Sequence, residues 1–359
     1  MAEAAVSSID RLKRRHGRPA LQTRPWLKLW PVLLVLLALT GVPALAALAG
    51  EPFLIRVFTR IVIFALAAVG LNLVLGFGGL VSLAHASLFG IGGYVVAILA
   101  QHEVEMAPLG VAPLIFSGTS DLLVSVPLAV LAAGLAAGAM GLVAIRTGGA
   151  YFIMITLAFN QMLYYFFVAL QRYGGEDGLQ ILANLHVAGI EVTDRAAFYY
   201  ACLILLGLVL VAMQRLVDSR FGMVLRATAQ SERRVAAVGI APLRYKLVAF
   251  ALSGAIAGLA GALMAIGQQF ISPADMAWTR SGDLVVICVM GGLTTVAGPV
   301  VGAAVFLMLE LVLSSYTSHW HLPFGIIVIA LALFLRGGLA DLPGLIAGRF
   351  KPGKAGETP

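Results

Sequence analysis

Long apolar runs alternate with short polar stretches along almost the whole chain. They fall near 31–50, 53–75, 80–100, 122–145, 151–170, 198–213, 246–270, 284–297, 299–314 and 322–335. A helix that crosses a bilayer core needs about 20 mostly apolar residues. Lipid offers no partner to backbone N–H and C=O groups, so crossing segments must satisfy them internally, as a helix does. The pattern predicts an all-α, polytopic transmembrane helical bundle of about ten spans, within bounds of eight to eleven. The runs beginning at 198, 284, 299 and 322 are short, and read as tilted ends, half-helices or spans with displaced boundaries.

Composition agrees. Of 359 residues, 60% are hydrophobic and 11% charged, against roughly half and a quarter in soluble domains. The mean hydropathy is +0.97. Length alone would suggest two soluble domains, and the apolar runs override that prior. Membrane lipid is therefore the first partner. The net charge of +7 would raise nucleic acid as a partner in a soluble protein. Here the cations lie in short stretches between apolar runs, no nucleic-acid-binding motif is visible, and the charge reads as topology.

Cytoplasmic loops are enriched in Lys and Arg. Arg11, Lys13, Arg14, Arg15, Arg18, Arg24 and Lys28 put the basic segment 1–29 in the cytoplasm. The 101–121 stretch carries Glu103, Glu105 and Asp121 and no Lys or Arg, so it is expected outside, as is the acidic 171–197 loop. The 214–246 loop holds Arg215, Arg220, Arg226, Arg233, Arg234, Arg244 and Lys246, and is expected inside with the 337–359 tail. The transmembrane domain then covers 30–336. Arg56 and Arg60, near the external end of the second span, break the rule and are expected to snorkel outward or pair with Glu51. Ala47-Leu48-Ala49 resembles a signal-peptidase site, but the preceding run is long for a signal segment, and we read it as a retained first helix.

Residues 78–84 (Gly-Gly-Leu-Val-Ser-Leu-Ala) and 291–297 (Gly-Gly-Leu-Thr-Thr-Val-Ala) share four of seven residues at an offset of 213. Six spans separate them, which makes a parallel internal repeat, and glycine-interrupted segments in corresponding positions point to a substrate path. Gly78, Gly79, Ser82, Gly291, Gly292, Thr294 and Thr295 are accordingly pathway candidates in broken helices, the alternative being plain turns between spans. His85 is either a substrate or proton contact or a neutral histidine satisfied by a neighbouring helix. Thr156, Asn160 and Tyr164 stand at i, i+4 and i+8 on one helix face. Such a polar stripe either lines a pore or bonds to a neighbouring helix. Glu310 is a lone carboxylate near the outer end of its span, functional or snorkelling. The stripes Gly254/Gly258/Gly261 with Ala265, and Gly134/Gly138/Gly141, are packing faces.

The 214–246 loop carries helix signals. Ser231 suits an N-cap with Glu232 in the first turn, Gly239 suits the position after the helix, and Pro242 stops continuation. An upstream helix is expected to begin after Asp218 or Ser219. Two short basic helices between spans make a docking element. Cys202 and Cys288 each lie in an apolar run and form neither a disulfide framework nor a metal spacing, so no metal and no cofactor is expected. There is no phosphate-binding Gly-x-x-x-x-Gly-Lys-[Ser/Thr] loop, no His-Glu-x-x-His and no Gly-x-Ser-x-Gly. An ATP-driven process would need another polypeptide, and no enzymatic activity is expected of this one.

Over about 55–335 the chain resembles the LivM-type permeases of branched-chain amino acid ABC transporters. Gly-Phe-Gly-Gly-Leu-Val-Ser-Leu-Ala-His-Ala (76–86), Gly-Ala-Tyr-Phe-Ile-Met-Ile-Thr-Leu-Ala-Phe (149–159) and Gly-Gly-Glu-Asp-Gly-Leu (174–179) come in order. They are followed by Phe-Gly-Met-Val-Leu-Arg-Ala (221–227), Tyr-Lys-Leu-Val-Ala-Phe (245–250) and Val-Met-Gly-Gly-Leu-Thr-Thr-Val-Ala-Gly-Pro (289–299). The resemblance implies a bacterial inner-membrane importer subunit for branched-chain or related amino acids. It implies as partners a LivH-type second permease, two ABC ATPase subunits and a periplasmic substrate-binding protein. It also implies that 219–241, with Phe221, Gly222, Arg226, Ser231, Glu232, Arg233, Arg234 and Gly239, couples to the ATPases. Ala84 stands where relatives often carry glycine before the histidine. A proton-coupled secondary transporter, with His85 or Glu310 as relay, is the competing reading.

Overall fold

The computed structural model describes residues 39–41, 43, 52–106, 118–183, 186–187, 190–191, 194–317, 319–334 and 338–339. Among them are eleven α-helices. These are α1 (Pro52–Asn72), α2 (His85–Val104), α3 (Leu122–Ala144), α4 (Ala150–Ala169), α5 (Arg195–Asp218) and α6 (Arg220–Gln230). They continue with α7 (Glu232–Ala237), α8 (Pro242–Gln268), α9 (Trp278–Gly291), α10 (Gly298–Tyr316) and α11 (His321–Phe334). Two small antiparallel pairs complete it: β1 (Leu179–Gln180) with β4 (Phe270–Ile271), and β2 (His186–Val187) with β3 (Ile190–Glu191).

Local chemistry sets the helix ends. Asp121 accepts from Leu123 N (3.0 Å) and Asp194 from Ala196 N (2.9 Å), capping α3 and α5. Each cap satisfies a backbone donor that the first turn leaves without an intrahelical partner. Pro242, which lacks an N–H, opens α8 where none is needed.

Among the described residues, seven helices are long and apolar enough to span: α1 with its continuation to Phe77, α2, α3, α4, α5, α8 and α10. α8 is the central post, packed on α3, α2 and α1. Most of α1 and α2 is buried, whereas only 22% of the apolar windows of α3 and α4 is, so those two present Leu131, Leu135, Met154 and Met162 outward. The glycine stripe of α8 is what lets the post close up. A methyl group at Gly258 would strike the Ala133 side chain, and one at Gly92 would strike the Gly258 carbonyl.

Several expected boundaries move. The run at 198–213 is a full-length helix from Arg195 to Asp218. The expected 284–297 span is displaced to Trp278–Gly291. At 14 residues it rises about 21 Å, less than the roughly 30 Å core, so α9 is a half-helix. The first expected span, 31–50, lies almost wholly outside the described residues. Its described part packs on α5, where Tyr199 Oη donates to the Leu39 carbonyl (2.6 Å). Both cysteines are buried, and Cys288 Sγ donates to the Ala68 carbonyl (3.2 Å).

Candidate functional site

The two glycine-rich segments are the same structure twice. α1 tightens into a π-helical turn, Leu73–Phe77, and stops at Gly78; α9 stops at Gly291. Gly79 (φ +67°) and Gly292 (φ +111°) stand in matching positions, in backbone that only glycine enters without strain. The next helices begin at His85 and Gly298, preserving the offset of 213. Ala84 and Ala297, just before them, have nearly identical angles (φ −88°, ψ −5° and φ −82°, ψ −14°). The breaks also touch. Asn72 Nδ2 donates to the Thr295 carbonyl at 3.0 Å, and Gly76 leaves no room for a side chain against the Leu293 carbonyl. At this junction Asn72 Oδ1 and Thr295 Oγ1 are buried without a hydrogen-bond partner.

The first break is held by side chains from two helices, α4 and α9, and by its own Ser82. Ser82 Oγ accepts from Ala84 N (3.3 Å), Ser281 Oγ from Ala86 N (2.8 Å), Asn160 Oδ1 from Ser87 N (2.9 Å), and Thr156 Oγ1 from Leu83 N (3.2 Å). These are the donors that the start of α2 and the chain before it leave unpaired. Asn160 Nδ2 also donates to the Met276 carbonyl (2.9 Å), pinning the 3₁₀ turn Pro273–Met276 to the start of α2. Tyr164, a turn beyond Asn160, is only half-buried and stacks edge-on to Tyr165. Two of the three stripe residues thus bond to the break, and the third does not reach it.

His85 is fully buried. Its Nδ1 lies 3.2 Å from Ser82 Oγ and its Nε2 2.7 Å from Ser253 Oγ, which in turn donates to the Gly70 carbonyl at 2.6 Å. Both ring nitrogens are engaged, so His85 ties α2, α8 and α1 together.

The basic loop folds as two capped helices. Ser219 Oγ accepts from Phe221 N (3.2 Å) to start α6, and Ser231 Oγ accepts from Arg234 N (3.4 Å) to start α7. Gly239 follows α7 with φ +84°. Arg226 Nη2 donates to the Val217 carbonyl (3.1 Å), Gly222 packs on the same turn, and the Phe221 ring lies 5.5 Å from that of Tyr245. Lys246, buried on α8, pairs with Glu232 on α7. Between α6 and α7 opens an apolar groove of about 360 Å³ lined by Met223, Ala227, Val235, Val238 and Ile240, with Arg234 at its edge. Arg233 and Arg234 are exposed. On its other side α6 meets the first break: a Cβ at Gly79 would lie 3.1 Å from that of Ala229.

At the far end of α8, about 40 Å away, are charges that the sequence pattern did not assemble. Arg60 Nη2 reaches Glu310 Oε1 at 3.1 Å, so Glu310 is not a lone carboxylate; the expected partner Glu51 lies outside the described residues. Arg280 lies 3.8 Å from Asp275, and both Arg60 and Arg280 sit over the Phe64 ring. Asp275, Arg280 and Asp283 escaped notice because a run assumed to begin at 284 left them in a loop. Asp275 lies in the 3₁₀ turn before α9, and Arg280 and Asp283 in the first two turns of α9. Among the described residues, no three His, Cys, Asp or Glu side chains converge as metal ligands.

Comparison with known proteins agrees with this architecture. A family model described as the branched-chain amino acid transport system permease component matches residues 53–339. The chain is 24% identical over 312 residues to the high-affinity branched-chain amino acid transport permease LivM of Salmonella typhimurium, covering 80% of this chain and 70% of that one. LivM of Escherichia coli K12 matches with the same identity and coverage. A probable LivH permease of Methanocaldococcus jannaschii is 28% identical over 153 residues, 41% of this chain and 45% of the relative. No solved structure matches.

Proposed function

Because the chain belongs to the branched-chain amino acid transport permease family, we propose that it is the LivM-type membrane subunit of an ABC importer for branched-chain or related amino acids. It works beside a LivH-type permease. Two separate ATPase subunits drive it from the cytoplasm, and a periplasmic binding protein delivers substrate. Both termini and the α6–α7 element are cytoplasmic, and residues 1–29 and 337–359 flank a permease domain of 30–336. The chain itself hydrolyses nothing.

The observation that carries the reading is the contact between α6 and the first break. The α6–α7 groove has the apolar floor and basic rim of a docking surface. Its reverse side rests on Gly79, and the break at Gly79 is bonded to the break at Gly292 through Asn72 and Thr295. Force applied to α6 and α7 by a partner therefore reaches both broken helices within one layer of contacts. In the proposed cycle Gly78, Gly79, Ser82, Gly291, Gly292, Thr294 and Thr295 line the moving part of the pathway. Thr156, Asn160 and His85 hold its frame, and Tyr164 lies one turn beyond.

Reversing charge at Arg233 and Arg234 tests the docking role. Both side chains are exposed, so Arg233→Glu/Arg234→Glu should insert and melt like the wild type. It should lose ATP-driven uptake and substrate-stimulated ATPase activity. Gly239→Pro should also insert and lose uptake, because proline fixes φ near −65° where the chain requires +84° and so distorts the end of α7. Wild-type uptake in both variants would remove the docking role.

A further inference from the structure

A cavity of about 820 Å³ opens at the end of the bundle away from α6 and α7, between α1, α5, α8 and α10. That volume is in the usual range for small-molecule sites. Ile63, Met264, Ile266 and Leu307 give it apolar walls, and Arg60 and Glu310 stand together on them. Their ion pair joins α1, which leads into the first break, to α10, which leaves the second.

The pair is incompletely used. Contact is made through Arg60 Nη2 alone, at 3.1 Å to Oε1 and 3.5 Å to Oε2 of Glu310. Arg60 Nε is buried and has no hydrogen-bond partner. A guanidinium carries five donors in a planar fork suited to a carboxylate, so Arg60 keeps donors in reserve. Glu310 has lone pairs left for an ammonium group.

We propose that this cavity is a binding site for a zwitterionic α-amino acid, with its carboxylate on Arg60, its ammonium on Glu310 and an apolar side chain against Ile63 and Leu307. Adjacent charges of opposite sign at this pair favour the zwitterion, since a plain anion meets Glu310 and a plain cation meets Arg60; Arg56, Asp194 and Arg195 line the same cavity with charges of both signs. The inference rests on the reading of the chain as an amino acid permease and assigns that reading a site. A zwitterionic phospholipid headgroup has the same charge chemistry, and the test separates the two.

The full transporter complex in proteoliposomes would be assayed for uptake of labelled leucine. Competitors would be 4-methylpentanoate, which lacks the ammonium, and 3-methylbutylamine, which lacks the carboxylate. Glu310→Gln should weaken apparent leucine affinity about thirtyfold and make 4-methylpentanoate a better competitor than in the wild type. Arg60→Gln should weaken leucine similarly and favour 3-methylbutylamine instead. The binding protein is the same throughout, so a change between variants belongs to this chain. Should the single variants fail to assemble, Arg60→Glu/Glu310→Arg restores the ion pair with its polarity reversed; assembly should return while leucine affinity stays low. Wild-type uptake in that swap, or an unchanged competitor order in both single variants, would make the pair architectural and overturn the proposal. Affinity that tracks phosphatidylethanolamine content rather than the competitors would also overturn it, in favour of a lipid site. Absent leucine uptake by the wild type is the separate failure of the transport reading and removes the inference with it.

Discussion

Gly258 and Gly138 belong to stripes that look alike in sequence, yet their surroundings differ. A methyl group at Gly258 has to displace Ala133, whereas one at Gly138 meets nothing within 4 Å. Gly258→Ala should therefore lower stability by about 1–3 kcal/mol, the usual cost of overpacking. Gly138→Ala should be neutral or gain up to about 1 kcal/mol from helix propensity. Thermal melts of the detergent-solubilised protein check both, and equal shifts would mean that the α8–α3 contact is misassigned. The pairing of Arg60 with Glu310 shows what one residue's context hides. Both were visible as charges in apolar runs, but 250 positions separate them, and no local pattern links such a pair. His85 was legible as a buried polar residue, while its engagement by Ser82 and Ser253 depends on α8 lying alongside.

The α6–α7 element was the most legible because its signals are local. Ser219, Ser231, Gly239 and Pro242 act within a few residues of where they stand, and the helices begin and end beside them. What was not legible is how the element is fastened. Lys246 was read as a topology-setting cation, whereas it is buried and paired with Glu232. Glu232→Gln leaves that ammonium without its anion and should free α7 from α8 at a cost of about 2 kcal/mol. Replacing both partners, as in Glu232→Leu/Lys246→Leu, should recover most of that loss, because no buried charge remains. Amide exchange in 232–237 reads the loosening: fast in the single variant, near wild type in the double. Equal exchange in both would mean that the pair holds nothing. Segment α9 shows the opposite limit. Hydropathy found its apolar half, but its first turns are held by long-range bonds: Asn160 fixes the preceding turn at the Met276 carbonyl, and Ser281 donates to the Leu83 carbonyl.

Taken whole, the molecule is a helix–break–helix motif used twice around one central post. The repeat was readable from seven residues because the break places a glycine with positive φ at the matching position in each copy. That the copies meet, and that the basic helices press on one of them, follows from packing across the bundle and had no signature along the chain. In the proposed cycle force enters at α6 and α7 and the moving parts are Gly79 and Gly292, with a charged cavity at the opposite end of α8. The proposed cycle draws its energy from separate ATPase subunits. The secondary-transporter alternative instead needs a proton relay. The most direct measurement is the energy source of leucine uptake in cells that express the chain with its partners. The account predicts uptake abolished by vanadate and retained under an uncoupler while ATP is maintained; uptake that resists vanadate and collapses with the uncoupler would contradict it.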